Sequence, residues 1–248
     1  RVLYLAALLT LTGGGAAAAP LSVFVSVLPL QTFVERVGGD RVETRVMVQP
    51  GHSPATYDPS PQQVAALADA DLYVRVGVPF ENAWMKRIRA ANSDMPVLDL
   101  RDGLTLRPLE AHVHEDGLVH GGEAGDGHEH EHEHEHDNDN DNDNDNEHSD
   151  RDGSDPRRSM DGHIWTSPPL VRQMASAIRD RLTRLDPDGA SVYAANLAAF
   201  DAELATLDRE LEAILSGLER RSFLVYHPAW GYFADTYGLT QVPIEHEG

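Results

Sequence analysis

The sequence predicts an α/β protein built on a parallel sheet, and three observations predict it. Short β-rich runs alternate with helical runs through the first hundred residues, one long amphipathic helix spans Ser191 to Leu218, and a strand–helix pattern then begins again. The length of 248 residues, 41% of them hydrophobic, suffices for one large domain or two smaller ones.

Leu21 to Val27, Thr44 to Val48, Asp71 to Val76 and Pro96 to Leu100 read as strands, each followed closely by Pro, Gly or Asp. Between them, Leu30 to Val37, Pro61 to Ala70 and Phe80 to Asn92 carry apolar residues at three- and four-residue spacing, the helical period. Sheets of this kind gather ligands at strand C-terminal ends, which makes Gln49-Pro50-Gly51-His52-Ser53-Pro54-Ala55, after the second strand, a candidate site loop. Pro168 to Leu185 is a further helical stretch.

The long helix then places Leu197, Phe200, Leu204, Leu207, Leu211, Ile214 and Leu218 in three–four alternation. At 1.5 Å per residue it is roughly 40 Å long, and it reads as a strut running along two lobes rather than as a coiled-coil seam. Ser222 to His227, Ala229 to Tyr237 and Thr240 to Ile244 start a second βα lobe. Fewer than about 50 residues rarely form an independent domain, so the expectation is a second lobe truncated in this chain. The resulting division is 1–19 leader, 20–188 first lobe, 189–219 long helix and 220–248 start of the second lobe.

Arg1, the apolar run Val2 to Leu11, the glycines 13–15 and Ala16 to Ala19 follow the order of a secretory signal peptide, with Ala16-Ala17-Ala18 as an A-x-A cleavage site. The run is too short to span a bilayer, and the chain lacks an initiator Met, so the leader is expected to be partial. Zero cysteines exclude disulfides, thiolate metal sites and the acylation Cys of a lipoprotein. The expected address is a freely diffusing periplasmic protein.

The formal charge is −21, yet residues 110–155 hold 18 acidic side chains against one base, Arg151, leaving the remainder nearly balanced. A basic surface for nucleic acid is thus excluded. In this insert, His alternates with Glu from Gly127 to His136 and Asp alternates with Asn from Asp137 to Asn146. Low hydrophobicity and high like charge predict a disordered surface loop. Nine of the 13 histidines lie here, and His128, His130, His132, His134 and His136 form a set of interchangeable imidazoles suited to weak capture of zinc, copper or nickel. The Asp/Asn block offers oxygen ligands better suited to calcium or magnesium, or serves merely as a solubilising spacer.

The ordered histidines are His52, His163 in Asp161-Gly162-His163-Ile164-Trp165, and His227 in Tyr226-His227-Pro228-Ala229-Trp230-Gly231-Tyr232-Phe233. A lone His is usually structural. Two at element ends, in a chain read as exported and carrying a histidine-rich insert, favour metal binding.

These segments, with Gly51-His52-Ser53-Pro54-Ala55-Thr56-Tyr57-Asp58-Pro59 and Tyr237-Gly238-Leu239, resemble the substrate-binding proteins of zinc and manganese ABC importers over about Leu21 to Gly248. The resemblance implies two Rossmann-like βα lobes joined by a long backbone helix, an ion held between them, and a membrane permease as partner of a monomer. Residue by residue, His163 and His227 match the family's second and third ligands. Histidine rather than glutamate at 227 is the zinc-type pattern, so Zn2+ is expected ahead of Mn2+. The family's first His falls on Ala55, leaving His52 to substitute from the same loop or a water to stand there. Its acidic fourth ligand would lie beyond Gly248, with Glu245, His246 and Glu247 as cleft residues or a polar strand end.

Such a protein is a carrier, not an enzyme. The competing readings are a periplasmic zinc buffer working through the insert, a manganese-type receptor and a zinc hydrolase. Against the last, the sequence has no His-Glu-x-x-His motif on a helical segment and no Gly-x-Ser-x-Gly elbow.

Overall fold

The computed structural model describes residues 19–108 and 160–244. The leader, the histidine-rich insert with its five candidate imidazoles, and Glu245, His246 and Glu247 lie outside the described residues.

The first lobe is the parallel α/β sheet that the alternation predicts. Strands β1 (Leu21–Val25), β2 (Val42–Val46), β3 (Leu72–Arg75) and β4 (Val97–Asp99) pair in the order β2-β1-β3-β4, all parallel. Val23, Phe24 and Val25 of the central strand β1 are all buried, on both faces of the sheet, and the run reads as continuously apolar rather than alternating. The chain leaves β1 for one edge and crosses over to β3 on the other side. That reversal makes the C-terminal ends of β1 and β3 the crevice where open sheets of this class bind ligands.

Helices α1 (Leu28–Gly38), α2 (Pro61–Ala66) and α3 (Pro79–Ala91) make the crossovers, each with a proline in its first turn, where the missing N–H costs no helical bond. Helix α1 buries Leu30, Val34 and Val37, one face of a 3.6-residue period. Ser60 and Gln63 form a reciprocal capping box at the start of α2. This helix ends earlier than its pattern suggests. A 3-10 turn over Leu67–Asp69 replaces its last residues, and the Asn92 amide donates to the carbonyls of Leu67, Ala68 and Ala70 at 3.0–3.2 Å.

Helix α4 (Pro168–Leu185) and the 27-residue α5 (Ala190–Ser216) complete the packing. Their junction is fixed by Asp186, which accepts from Arg41 Nε at 2.6 Å and from the Tyr193 hydroxyl at 2.6 Å. These bonds hold the Asp186 carboxyl down at about 2, and burial together with that carboxylate pushes the Tyr193 phenol up to about 12. The N-terminal half of α5 buries Tyr193, Phe200 and Leu204 against α1 and α4, whereas Leu207, Ile214 and Leu218 on the C-terminal side are exposed within the chain.

Strands β5 (Ser222–Val225) and β6 (Thr240–Pro243) pair in parallel, connected by α6 (Gly231–Tyr237), which Gly238 closes in the left-handed conformation at φ 63°. This is the second, smaller βα unit. Strand β5 stops at Val225, so His227 sits in the turn beyond it rather than at the strand end. Among the described residues no helix is long and apolar enough to cross a membrane.

Candidate metal site

The segment that carries His163 is laid across the crevice. Gly162 runs beside the end of β3, where a Cβ would stand at contact distance, 3.4 Å, from the carbonyl oxygen of Val76. That end is itself fixed by Glu81, fully buried, whose carboxylate accepts from Arg75 Nε at 2.7 Å, Gly77 N at 2.9 Å and Val76 N at 3.3 Å. Burial pushes the Glu81 carboxyl up, and Arg75 with the backbone donors pulls it back toward the ionised form. In the turn after β4, Arg101 pairs with Asp99 at 2.6 Å and lies against Gly77, whose φ of 83° and crowded surroundings suit only glycine.

His163 is held on both sides in sequence. Asp161, 3% exposed, accepts from the His163 backbone N–H at 2.9 Å and contacts ring Nδ1 at 2.7 Å through the same oxygen. With Nδ1–H given to Asp161, Nε2 keeps its lone pair for an ion, the arrangement that carboxylate partners impose on metal-binding histidines. On the other side His163 caps a 3-10 turn, Ile164–Thr166, whose Ile164 is fully buried in the core. The Thr166 hydroxyl donates to the His163 carbonyl at 2.9 Å. The ring itself is 21% exposed and meets Trp165 edge-on.

His227 arrives from the second unit. Its ring centroid is 5.2 Å from that of His163, with the planes at 70°. Two imidazoles on one tetrahedral zinc, each bound through a ring nitrogen at ~2.0–2.1 Å, have centroids roughly 5 Å apart. The pair thus has the spacing that a shared ion requires.

His52 is placed elsewhere on the rim. It is exposed in the loop after β2, its ring edge-on to Tyr57 at 5.6 Å, and with Gln49, Thr56, Asp58 and Gln63 it lines an open pocket of about 650 Å³. Among the described residues, no three His, Cys, Asp or Glu side chains are grouped as a complete metal site would require. The structure therefore brings together two of the three histidines singled out in the sequence. What sequence reasoning missed is Asp161 as the partner of Nδ1. The only hint was its place two residues before the histidine, a spacing with no periodic signature.

Comparison with known proteins gives a consistent picture. Residues 23–248 match the model of the family described as zinc-uptake complex component A, periplasmic. The high-affinity zinc uptake system protein ZnuA of Paracoccus denitrificans (strain Pd 1222) is 39% identical over 209 residues, which cover 83% of this chain and 60% of that protein. The chain thus spans about three-fifths of that relative's length. A crystal structure of ZnuA matches with a TM-score of 0.70 at 37% identity, covering 92% of this chain and 72% of the other. A ZnuA deletion mutant with zinc bound matches with a TM-score of 0.69 at 38% identity, covering 92% and 71%. With a family match over nearly the whole chain, on a fold where two of the three ordered histidines meet, the protein belongs to the periplasmic zinc-uptake component A family.

Proposed function

We propose that this protein is a periplasmic carrier that captures Zn2+ between its two βα units and hands it to the membrane permease of an ABC importer. The observation that carries the reading is the His163–His227 pair, 5.2 Å apart, with Asp161 holding the first ring. The names of the relatives support zinc as the cargo. No bond is made or broken. Neutral imidazoles donate ring nitrogens to the ion, and because each comes from a different unit, a small relative movement of the units loosens the site without unfolding either.

Two imidazoles alone leave a tetrahedral ion half-coordinated. His52, carried by the loop after β2, or a water fills one further position in this reading, and an acidic side chain fills the last. The histidine-rich block from Gly127 to His136 acts as a weak collector feeding the same ion pool.

The test is zinc titration calorimetry on the full-length protein lacking residues 127–136, alone and with His163→Ala or His227→Ala. One tight site, lost in both variants, is expected. A parent that shows no tight site once the block is deleted would leave a histidine-block buffer as the function.

A further inference from the structure

The carbonyl and the carboxylate of Asp161 face different partners: the carboxylate holds His163, and the carbonyl's partner belongs to the other unit. The Tyr232 hydroxyl, on α6, donates to the Asp161 carbonyl at 2.9 Å and accepts from the Arg107 backbone N–H at 3.1 Å. Arg107 is the last first-lobe residue before Pro108, and its carbonyl accepts from the Asp161 N–H at 2.9 Å. Its guanidinium then reaches across to Asp235 on α6 at 2.7 Å, lies 5.9 Å from the Tyr232 ring, and stands 3.8 Å from Asp161 Oδ2. Gly231 makes room for it: a Cβ there would come within 2.6–2.8 Å of three guanidinium atoms.

Tyr232 is 5% exposed and Asp161 3%, so these bonds run in a region where an unmade hydrogen bond is costly. Burial pushes the Tyr232 phenol up, which keeps it a donor. The neck of the insert is tied to the same point, because Pro108 bridges Met160 in antiparallel fashion directly before Asp161.

We infer that Arg107 and Tyr232 form an interlobe latch that fixes Asp161, and through it the orientation of His163, only while α6 is seated on the first lobe. The inference rests on the reading of His163 as a zinc ligand. Arg107 and Tyr232 are positioning residues and touch no ion. Its functional content is that seating of the second unit and strength of the first ligand are one event: displacing α6 frees Asp161 to move and lets the ion go.

The test is the rate of zinc loss to an excess of chelator, followed by stopped flow, in the full-length protein lacking residues 127–136. Tyr232→Phe removes the shared hydroxyl but keeps the ring, and Arg107→Ala removes the guanidinium. Changes to groups that orient a metal ligand typically cost 10–100-fold in affinity. Each variant is expected to release zinc 10–100-fold faster, the double variant no faster than the more affected single one, and Arg107→Lys to recover part of the loss through its charge on Asp235. The Co2+-loaded absorption spectrum is expected to change in Tyr232→Phe, which a purely structural role would leave alone. Parent rates in both single variants, with the site lost in His163→Ala, would overturn the latch and leave the metal pair standing. Retention of the tight site in His163→Ala would overturn the functional reading, and the latch with it.

Discussion

His163 and His227 face each other from unlike settings. His163 stands on a platform made rigid from below: buried Asp161 before it, buried Ile164 after it, and the Glu81-braced end of β3 beneath. His227 lies in an exposed turn of a small two-stranded unit whose Leu224, Tyr226 and Trp230 are 71%, 73% and 45% exposed within the chain. Among the described residues, the first unit thus holds His163 between buried neighbours, whereas the second presents His227 from an exposed turn.

Removing the brace beneath His163 gives the largest expected effect. Glu81→Ala leaves the partly buried Arg75 without its principal partner and the backbone N–H groups of Val76 and Gly77 without their acceptor, and breaking such a pair costs roughly 3–5 kcal/mol, to be read as a loss of unfolding free energy in urea. Tyr226→Ala, beside His227, is expected to change it by no more than ~0.5 kcal/mol. Equal losses would erase the contrast between the two settings.

Asp161→Ala strikes the platform without emptying the core as deeply. Zinc affinity is expected to fall 10–100-fold, measured by competition with a chelator of known strength, with the metal-free fold retained. An unchanged affinity would mean that the carboxylate does not orient the ring.

Zinc competes with protons for imidazole nitrogens, so affinity is expected to fall as the pH is lowered from 7 to 5.5, and a flat profile across that range would exclude a site built on two histidines.

The smallest effect concerns the joint between the first lobe and α5. The Asp186 carboxyl is held down at about 2, so its pairing with Arg41 and Tyr193 stabilises the folded state above the ordinary carboxylate range and is lost as the pH falls from about 4 toward 2. Asp186→Asn is expected to lower the melting temperature by ~2–4 °C at pH 7, and the gap to the parent is expected to close on acidification. A gap that persists at pH 2 would show that the carboxylate's charge is not what fixes the joint.

Much of the first lobe was legible because periodic burial leaves a periodic pattern. Val23 to Val25 and Leu72 to Val74 are buried on both faces and read as continuous apolar runs, and α1 shows its buried stripe at Leu30, Val34 and Val37. The long helix was legible as an element but not in its packing. Its apolar series is uniform from Leu197 to Leu218, while burial within the chain covers Phe200 and Leu204 but not Ile214 or Leu218.

The site was legible in part. His163 and His227 stood out by residue type and motif, yet nothing local shows that side chains 64 positions apart in sequence meet at 5.2 Å. The same holds for Arg107 and Tyr232, joined across 125 positions by one hydrogen bond. Aperiodic polar contacts between distant segments leave no spacing to read, and a glycine such as Gly231 reveals its purpose only once the neighbouring guanidinium is in place. The loop after β2 was correctly placed at a strand end.

The central claim is that one ion is shared by His163 and His227. Anomalous diffraction at the zinc edge, from crystals of the zinc-loaded full-length protein, tests it most directly. The account predicts a zinc peak ~2.0–2.1 Å from one ring nitrogen of each histidine, with Asp161 still bonded to Nδ1 of His163. A fully occupied zinc peak elsewhere, with neither ring coordinating it, would contradict the account.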